Sequence, residues 1–474
     1  MYTDIEPRRV HHYFQEISQI PRCTGNEKAL SNYLVRFAKD HSLEFSQDTL
    51  MNVVIRKPPM IGYENAKKVI LQGHMDMVCV KGTESTHDFE KDPIELIVEE
   101  GILRANNTTL GADDGIAIAM GLAILESDLY AHPALELLAT VSEETDISGA
   151  LGLSRDMLKG DYLINIDSEE EGILTVGSAG GVTLYVTHRI QRQRTEDKCI
   201  EFLFDGLKGG HSGMEINSNR GNMLKVMAAF VRRLSKDKTV SIISFVSGTL
   251  DNAIPSSGRL ILSINELDED QVQQAVRQTI EQFIDVEGEI SIQYQTVDCS
   301  EQAWSREVAE DVLTMIEDIP NGVNTLVKGS DQVESSNNLA LIREEDGQIY
   351  LEISLRSSDE EILEELVEKC TQVLEKNNFD FQPDAAYPSW KYSEKSELRD
   401  RAEEVYRNLY GKDFETVVVH AGLECGAISS KYPHMDMISI GPNIRGAHTP
   451  EEYMELASAN RVFDYLIALL RALK

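Results

Sequence analysis

Histidines and carboxylates at five places along the chain have the residue types and the settings of metal ligands. His74 ends an apolar run and stands two residues before Asp76, which could accept a hydrogen bond from the second ring nitrogen of a ligating histidine. The other four places supply carboxylates and a second imidazole: Asp113-Asp114, Glu143-Glu144, Asp167 and His448. Two imidazoles with several carboxylates are the ligand set of a two-metal hydrolytic centre.

Each of these places, taken alone, also has a structural explanation that needs no metal. The alternatives are a helix cap at Asp113-Asp114, a solvated turn at Glu143-Glu144, an acidic loop around Asp167 and a turn at His448 before Pro450. Together these explanations require five coincidences at the carboxyl edge of one predicted sheet. We therefore expect a metal site.

The adjacent glutamates suit the chemistry of such a site. Two ions acidify a water that they share, and a carboxylate that is not a ligand must then take its proton and deliver it to the leaving amine. Glu143-Glu144 can supply one ligand and one such base. Zinc fits the ligand types, and cobalt or manganese can replace it.

The segments that carry these residues predict a mostly parallel sheet. Apolar strands at Lys68–Leu71, Leu135–Val141 and Tyr162–Ile166 each run into a candidate ligand, and a small-residue helix at Ile116–Glu126 lies between the first two. Strands that alternate with helices form βαβ units. Polar residues at the carboxyl ends of such strands meet in one crevice.

The pattern changes after residue 182, where strands begin to alternate polar and apolar residues. Four amphipathic helices lie between those strands: Asn219–Leu234, Asp268–Ile284, Arg306–Glu317 and Asp359–Glu375. The first pattern returns after about residue 390. We predict an α/β protein with a mostly parallel catalytic domain at 1–182 and 391–474 and an inserted α+β lid domain at 183–390.

Composition excludes several classes of protein. The chain has 474 residues and a formal net charge of -35, which opposes nucleic-acid binding. No stretch is apolar and long enough to span a membrane, and the polar N-terminus predicts no signal peptide. The six cysteines are scattered and form no CxxC pair, which favours reduced thiols in the cytoplasm.

Seven motifs make the chain resemble the zinc exopeptidase family that includes carboxypeptidase G, aminoacylase and peptidase T. The motifs span nearly the whole chain and begin at Gly73-His74-Met75-Asp76, Gly111-Ala112-Asp113-Asp114-Gly115, Ser142-Glu143-Glu144, Ile166-Asp167-Ser168, Gly209-Gly210-His211-Ser212-Gly213, His420-Ala421-Gly422-Leu423-Glu424 and Gly446-Ala447-His448. Gly115 stands where many relatives carry lysine, which favours the branch of Xaa-His dipeptidases over peptidase T.

The resemblance implies a role for each residue of the predicted centre. Asp113 would bridge both metals, and the peptide bond between Asp113 and Asp114 would be cis. The other implied roles are His74 and Asp167 on one metal, Glu144 and His448 on the other, Glu143 as general base and acid, and Asp76 as the residue that orients His74.

Three residues of the inserted domain match substrate-binding positions of the family. His211 lies in a glycine-rich loop and could polarise the scissile carbonyl as an oxyanion donor. Arg356 and Asn252 match positions that grip the terminal carboxylate of the substrate, for which a guanidinium fork is suited. The alternative for Arg356 is a surface salt bridge.

The activity implied by the resemblance is hydrolysis of small unblocked dipeptides, of the Xaa-His type and including β-Ala-His. The alternatives are an N-acyl amino acid hydrolase or a broader carboxypeptidase and, from another class, an inactive binding or scaffold protein. Relatives with a shorter inserted domain dimerise through it and borrow the oxyanion histidine. The longer insertion here predicts a site that is complete in each subunit, also in a homodimer.

Overall fold

The computed structural model describes residues 7–195, 198–236, 239–264, 269–283, 290–298, 302–384 and 386–474. The helices of these residues are α1 (Arg8–Ser18), α2 (Lys28–Asp40), α3 (Ala112–Glu126), α4 (Glu143–Asp146), α5 (Ser148–Gly152), α6 (Met223–Leu234), α7 (Glu269–Phe283), α8 (Arg306–Asp318), α9 (Glu360–Lys376), α10 (Glu397–Tyr410), α11 (Glu424–Lys431) and α12 (Leu456–Ala472). Not one helix in these described ranges has both the length and the apolar composition needed to cross a membrane.

The strands of the described residues fall into four sheets, two of which are large. In chain order the strands are β1 (Glu44–Gln47), β2 (Val53–Lys57), β3 (Val69–His74), β4 (Leu96–Glu99), β5 (Ile102–Ala105), β6 (Leu135–Thr140), β7 (Tyr162–Asn165), β8 (Ile173–Ser178), β9 (Gly180–Arg189), β10 (Arg192–Arg194), β11 (Lys198–Asp205), β12 (Val240–Ser247), β13 (Gly258–Ile264), β14 (Ser291–Val297), β15 (Gln302–Trp304), β16 (Gly322–Leu326), β17 (Val333–Glu345), β18 (Gln348–Ser357), β19 (Asp380–Pro383), β20 (Glu415–Val419), β21 (Asp436–Ser439), β22 (Ile444–Arg445) and β23 (Tyr453–Glu455).

The chain divides into two compact units. Unit 1 comprises the residues up to Ser178 together with Trp390–Val419 and Leu423–Lys474, and unit 2 comprises Ala179–Ser389 and His420–Gly422. Each unit has its own large sheet and its own apolar core.

The large sheet of unit 1 is mixed, with parallel pairing at its centre. Its eight strands run in the order β1-β2-β6-β3-β7-β21-β8-β20. The pairs β6–β3, β3–β7, β7–β21 and β8–β20 are parallel, whereas β1, β2 and β6 pair in antiparallel fashion at one edge. The predicted α/β class is therefore confirmed, and the predicted βαβ segments form the parallel part.

Helices cover both faces of this sheet. In β3, Val69 and Leu71 pack into one apolar cluster and Ile70 packs into another on the opposite face. All six residues of β3 are buried. Burial on both faces explains why the central strands are continuously apolar rather than alternating.

A small antiparallel sheet completes unit 1, in the order β22-β23-β5-β4. Its strands come from distant parts of the chain, since Tyr453 pairs with Arg104 and Glu455 with Ile102. This sheet joins the C-terminal segment to the segment that precedes α3.

Unit 2 is an antiparallel sheet with helices. Its strands run in the order β14-β11-β13-β12-β17-β18-β9-β19, and β16 pairs with β17. The alternating pattern of β11 places Phe202 in the core, whereas Leu203 is 43% exposed. The four predicted amphipathic helices correspond to α6, α7, α8 and α9, and the predicted ends Asp268 and Ile284 lie outside the described residues.

The prediction that the cysteines are reduced is wrong for at least one pair. Cys23 and Cys79 form a disulfide, with their Cα atoms 5.6 Å apart, and Cys199 is also disulfide-bonded. Cys370 and Cys425 are buried free thiols. No local sequence motif marks a disulfide between two cysteines 56 positions apart. The sequence alone therefore did not reveal this pairing.

Candidate metal centre

Three neighbouring strands bring candidate ligands to one edge of the large sheet. His74 is the last residue of β3 and pairs with Thr140, the last residue of β6. Glu143 follows β6 after two residues, and Asp167 follows β7 after one. Because β3 pairs with β6 and β7 in parallel, these side chains leave the sheet at the same end.

Asp113 and His448 reach the site from elsewhere, which corrects the expectation that all ligands lie at one sheet edge. Asp113 lies at the start of α3, after the small sheet strand β5. His448 lies between β22 and β23 of the same small sheet, with a positive φ of 65°. The small sheet therefore positions these two of the five candidate ligands.

The carboxylate of Asp113 lies between the two imidazoles. His74 Nε2 is 3.0 Å from Asp113 Oδ1, and His448 Nε2 is 3.2 Å from Asp113 Oδ2. Each oxygen thus faces one histidine. The peptide bond between Asp113 and Asp114 is cis, as the resemblance implied.

The remaining carboxylates lie beside these histidines. Glu144 Oε2 is 2.8 Å from His448 Nε2, and Asp167 Oδ1 is 3.8 Å from His74 Nε2. The structure therefore brings together all five residues predicted as ligands, although the sharing of metals among them remains a proposal.

The donor atoms fit divalent metal ions. Two groups of potential ligands converge, each with its donor atoms within 4.8 Å of one another: His74, Asp113 and Glu144, and His74, Asp114 and Asp167. Glu144 Oε1 is buried and has no hydrogen-bond partner among the described residues. Imidazole nitrogens with carboxylate oxygens are the donors of zinc, cobalt and manganese sites.

Asp76 lies against His74 and the glutamate turn. Its Oδ1 atom is 3.5 Å from His74 Nδ1 and accepts a hydrogen bond from the Glu143 backbone N–H at 3.1 Å. Its Oδ2 atom accepts hydrogen bonds from the Glu144 N–H and from the Thr24 hydroxyl. One buried carboxylate thus connects the turn that carries both glutamates to the ring of a candidate ligand.

Opposite charges dominate the protonation of the centre. Burial by itself would lower the pKa of His74, but hydrogen bonds to Asp113 and Asp76 outweigh it and hold that pKa well above its usual value. Hydrogen bonds to Asp113 and Glu144 raise the pKa of His448 to about 11. Burial would raise the pKa of Asp113, but the two histidines lower it.

Glu143 lies beside the candidate ligands in a buried position. Burial raises the pKa of Glu143 well above the ordinary value, and the carboxylates around it add to that effect. Neither converging donor group of the described residues includes Glu143. Burial also raises the pKa of Asp167, with Asp114 contributing in the same direction.

The predicted substrate-binding residues lie in unit 2. His211 Nδ1 accepts hydrogen bonds from the backbone N–H groups of Gly213 and Met214, so its Nε2 atom carries the proton when the ring is neutral. Arg356 is 7% exposed and donates from Nη1 to the Tyr387 hydroxyl at 2.7 Å. Asn252 is exposed, and its backbone carbonyl accepts a hydrogen bond from Ser212 N.

Sequence reasoning did not assign a role to His420, which belongs to the same unit. His420 Nε2 is 2.7 Å from the Ser336 hydroxyl. Burial lowers the pKa of His420 to about 4, and the charges of Arg356 and His211 act in the same direction. The motif that begins at His420 was the signal that could have indicated it.

Arg22 and Glu452 are two further buried residues near the centre that were missed. Glu452 accepts hydrogen bonds from the N–H groups of Leu110, Gly111 and Ala112, and Arg22 donates to the carbonyl of Asp76. Arg22 and Glu452 are each 2% exposed. A charged residue four positions after a candidate ligand, as Glu452 is after His448, was an available signal.

The chain is similar to known proteins along nearly its whole length. The sequence model of peptidase family M20/M25/M40 matches residues 70–472. A cytosol non-specific dipeptidase of Escherichia coli (strain K12) is 32% identical over 479 residues, which cover 99% of this chain and 98% of that protein.

Solved structures show the same similarity. The crystal structure of aminoacylhistidine dipeptidase from Vibrio alginolyticus has a TM-score of 0.86 at 32% identity, and the match covers 100% of this chain and 98% of that one. Human carnosine dipeptidase 1 has a TM-score of 0.53 at 11% identity, with coverage of 100% and 98%, and so shares the fold.

Proposed function

Because the chain belongs to peptidase family M20/M25/M40 and is therefore an enzyme that acts as a peptidase, we propose that it is a two-metal dipeptidase that hydrolyses small unblocked dipeptides. Xaa-His dipeptides, β-Ala-His among them, are the substrate class that we propose. Two relatives named as dipeptidases, each 32% identical across nearly the entire chain, support this activity.

The position of Asp113 is the observation that carries the proposal. One carboxylate with an oxygen directed at each of two imidazoles has the arrangement needed to bridge two ions. His74 and Asp167 would complete the shell of one ion, and Glu144 and His448 that of the other. We propose zinc for both ions, with cobalt or manganese as substitutes. When bound, such ions lower the pKa of a shared water and polarise the scissile carbonyl.

Glu143 is the proposed general base and acid. It lies beside the centre without belonging to the converging donor groups of the described residues, so its carboxylate is free to take a proton from the attacking water. The same carboxyl group would then protonate the leaving amine. Burial raises its pKa, which favours the protonated form that delivers a proton to the leaving amine.

Three residues of unit 2 have proposed roles in binding the substrate. The protonated Nε2 atom of His211 would donate a hydrogen bond to the carbonyl oxygen as negative charge develops there. Arg356 would bind the terminal carboxylate together with Asn252. Arg356 Nε is buried without a hydrogen-bond partner among the described residues, which leaves a donor for such a ligand.

We propose a cytoplasmic location, because the E. coli relative is named as a cytosolic enzyme. The Cys23–Cys79 disulfide opposes this proposal, since disulfides are rare in reducing compartments. Cell fractionation with thiol labelling would decide between the two: the enzyme is expected in the cytoplasmic fraction, and recovery only from an oxidising compartment would contradict the proposal.

The decisive experiment is a substrate panel on protein reconstituted with zinc, cobalt or manganese. We expect hydrolysis of Ala-His, β-Ala-His and other dipeptides that stops when the metal is chelated, with Glu143→Gln as the control against contaminating peptidases. Faster hydrolysis of N-acetyl amino acids or longer peptides would replace the dipeptidase by an acylase or a carboxypeptidase. A protein that binds no metal and cleaves no dipeptide would be a binding or scaffold protein.

A further inference from the structure

We propose that Arg22 and Glu452 are positioning residues that hold the Asp113 segment and the His74–Asp76 segment in the geometry that metal binding requires. The proposal rests on the two-metal centre of the proposed function. It assigns a task to two buried charged residues that lie outside both converging donor groups of the described residues.

Glu452 fixes the loop that leads to Asp113. Its Oε2 atom accepts hydrogen bonds from Leu110 N at 2.8 Å and Gly111 N at 3.0 Å, and its Oε1 atom accepts one from Ala112 N at 2.8 Å. These three donors are the residues directly before Asp113. A carboxylate that binds three consecutive N–H groups determines the path of the backbone as it enters the bridging residue.

Arg22 connects that loop to the segment after His74. Its Nη1 atom donates to the carbonyl oxygens of Met75 at 2.9 Å and Asp76 at 3.0 Å, and its Nη2 atom donates to the carbonyl of Gly111. One rigid guanidinium therefore holds the backbone on both sides of the proposed centre. A lysine could not copy this, because its donors radiate from a single nitrogen.

Gly115 provides the space that the guanidinium occupies. A Cβ atom at residue 115 would lie 2.7 Å from Arg22 Nη2 and 3.3 Å from both Arg22 Cζ and Phe14 Cε2. A side chain at this position would therefore displace the guanidinium. Hence the glycine, which follows the cis Asp113-Asp114 pair, is matched to an arginine from the N-terminal part of the chain.

The charges of the two residues also affect stability. Burial lowers the pKa of Arg22, and Glu452 is the largest of the carboxylate charges that oppose this effect. Removing Glu452 takes away part of the negative charge that compensates the buried guanidinium, which destabilises a protein. A loss of stability alone would therefore not distinguish positioning from general support of the fold.

Glu136 offers a matched control. It is 4% exposed, accepts hydrogen bonds from Lys159 N and Gly160 N, and pairs with Arg56 at 2.8 Å. It thus resembles Glu452 in burial and in accepting hydrogen bonds from consecutive backbone N–H groups, but it orders a loop that carries none of the proposed ligands. Glu136→Gln should lower stability without changing metal affinity.

The experiment measures Zn²⁺ affinity by competition with a chromophoric chelator, together with the thermal midpoint of the metal-free protein. We expect Glu452→Gln to lower Zn²⁺ affinity about 10- to 100-fold, because an amide offers one oxygen to three N–H donors. Gly115→Ala, which retains both charges and displaces Arg22, should lower the affinity in the same direction. Should Glu452→Gln not fold, Gly115→Ala and Arg22→Lys provide the measurement.

The possible results separate this inference from the proposed function. Wild-type affinity in folded Glu452→Gln and Gly115→Ala, or an equal loss of affinity in Glu136→Gln, would overturn the positioning role alone. A wild-type protein that binds no Zn²⁺ would overturn the two-metal centre and this inference with it. Tight Zn²⁺ binding by a wild type that cleaves no dipeptide would overturn only the substrate assignment.

Discussion

Glu143 and Glu144 are neighbours in sequence, yet their side chains have different surroundings. Glu144 Oε2 lies 2.8 Å from His448 Nε2, and its side chain is 4% exposed. Glu143 is outside both converging donor groups of the described residues, and burial raises its pKa. At the scale of single residues, the proposed ligand and the proposed base are therefore distinguished by their contacts rather than by their residue type.

Substitution by glutamine should lower the metal content at one of these two positions and leave it unchanged at the other. Glu144→Gln should lose metal, because an amide is a weaker ligand than a carboxylate. Glu143→Gln should retain the metal and lose turnover by about 100- to 10,000-fold, the usual contribution of a general base. Metal analysis beside kcat would test this, and metal loss in Glu143→Gln would contradict its role as a base.

Metal affinity should rise with pH. Burial would lower the pKa of His74, but hydrogen bonds to Asp113 and Asp76 outweigh burial and raise that pKa. Hydrogen bonds to Asp113 and Glu144 raise the pKa of His448 to about 11. Both rings therefore hold protons in the metal-free protein at neutral pH. A metal must displace these protons, so higher pH favours the bound state.

Calorimetry in buffers of different ionisation enthalpy would count the protons released on Zn²⁺ binding. His448→Ala should release fewer protons than the wild type, because one of the two charged rings is gone. Zn²⁺ affinity that is independent of pH near neutrality would contradict the displacement of protons from these imidazoles.

At the scale of secondary structure, covalent and hydrogen-bonded links hold the loops around the centre. Cys23 lies in the loop after α1, and Cys79 follows the segment that contains His74 and Asp76. The next residue, Thr24, adds a hydrogen bond between the same two segments, since its hydroxyl donates to Asp76 Oδ2 at 2.9 Å. The loop before α2 is thus linked to the segment that follows β3 by a disulfide and by a hydrogen bond.

Removal of this disulfide should destabilise the protein. A cross-link across 56 positions restricts the unfolded chain, and such cross-links typically contribute about 2–4 kcal/mol to the free energy of unfolding. Because Cys199 is disulfide-bonded as well, reduction alone would not isolate the effect, whereas Cys23→Ser/Cys79→Ser does. Urea unfolding of this variant and the wild type, both metal-free and non-reduced, measures the difference.

Thiol titration of the unfolded, non-reduced wild type is the control for that experiment. Fully reactive Cys23 and Cys79, identified by mass spectrometry after labelling, would show that the disulfide does not form. Equal stability of the double variant and the oxidised wild type would contradict the stabilising role.

At the scale of the whole molecule, the residues with proposed roles are divided between two units. The candidate ligands and Glu143 belong to unit 1, whereas His211, Arg356 and Asn252 belong to unit 2. The insertion of unit 2 within unit 1 means that a single chain carries the complete set. We propose that each subunit builds its own site from residues of its own chain, also in a homodimer.

Mixing two inactive variants would test this. A His211→Ala protein and a Glu143→Ala protein, unfolded together and refolded, should remain inactive if no subunit borrows a residue from another. Recovery of about one quarter of wild-type activity, the statistical expectation for one restored site in half of the dimers, would show a shared site. The separate variants, refolded alone, are the controls.

The candidate ligands and their positions after apolar strands could be predicted from the sequence alone. Metal chemistry demands imidazoles and carboxylates, and a residue such as His74 follows an apolar run that is visible without a structure. The strands β3, β6 and β7 and helices such as α8 and α9 were predictable because hydrophobic periodicity is a local property. The change of pattern after residue 182 likewise indicated an inserted α+β segment.

Only the tertiary structure decided which distant loops meet. His448 and Asp113 reach the centre through a small sheet whose pairing of β23 with β5 joins segments more than 300 positions apart, as Tyr453 does with Arg104. The pairing of Cys23 with Cys79 and the meeting of Arg22 with the loop held by Glu452 depend on the same long-range packing. Local periodicity specifies an element and its buried face, but contacts between elements arise from how all buried faces are satisfied together, so no single stretch of sequence contains them.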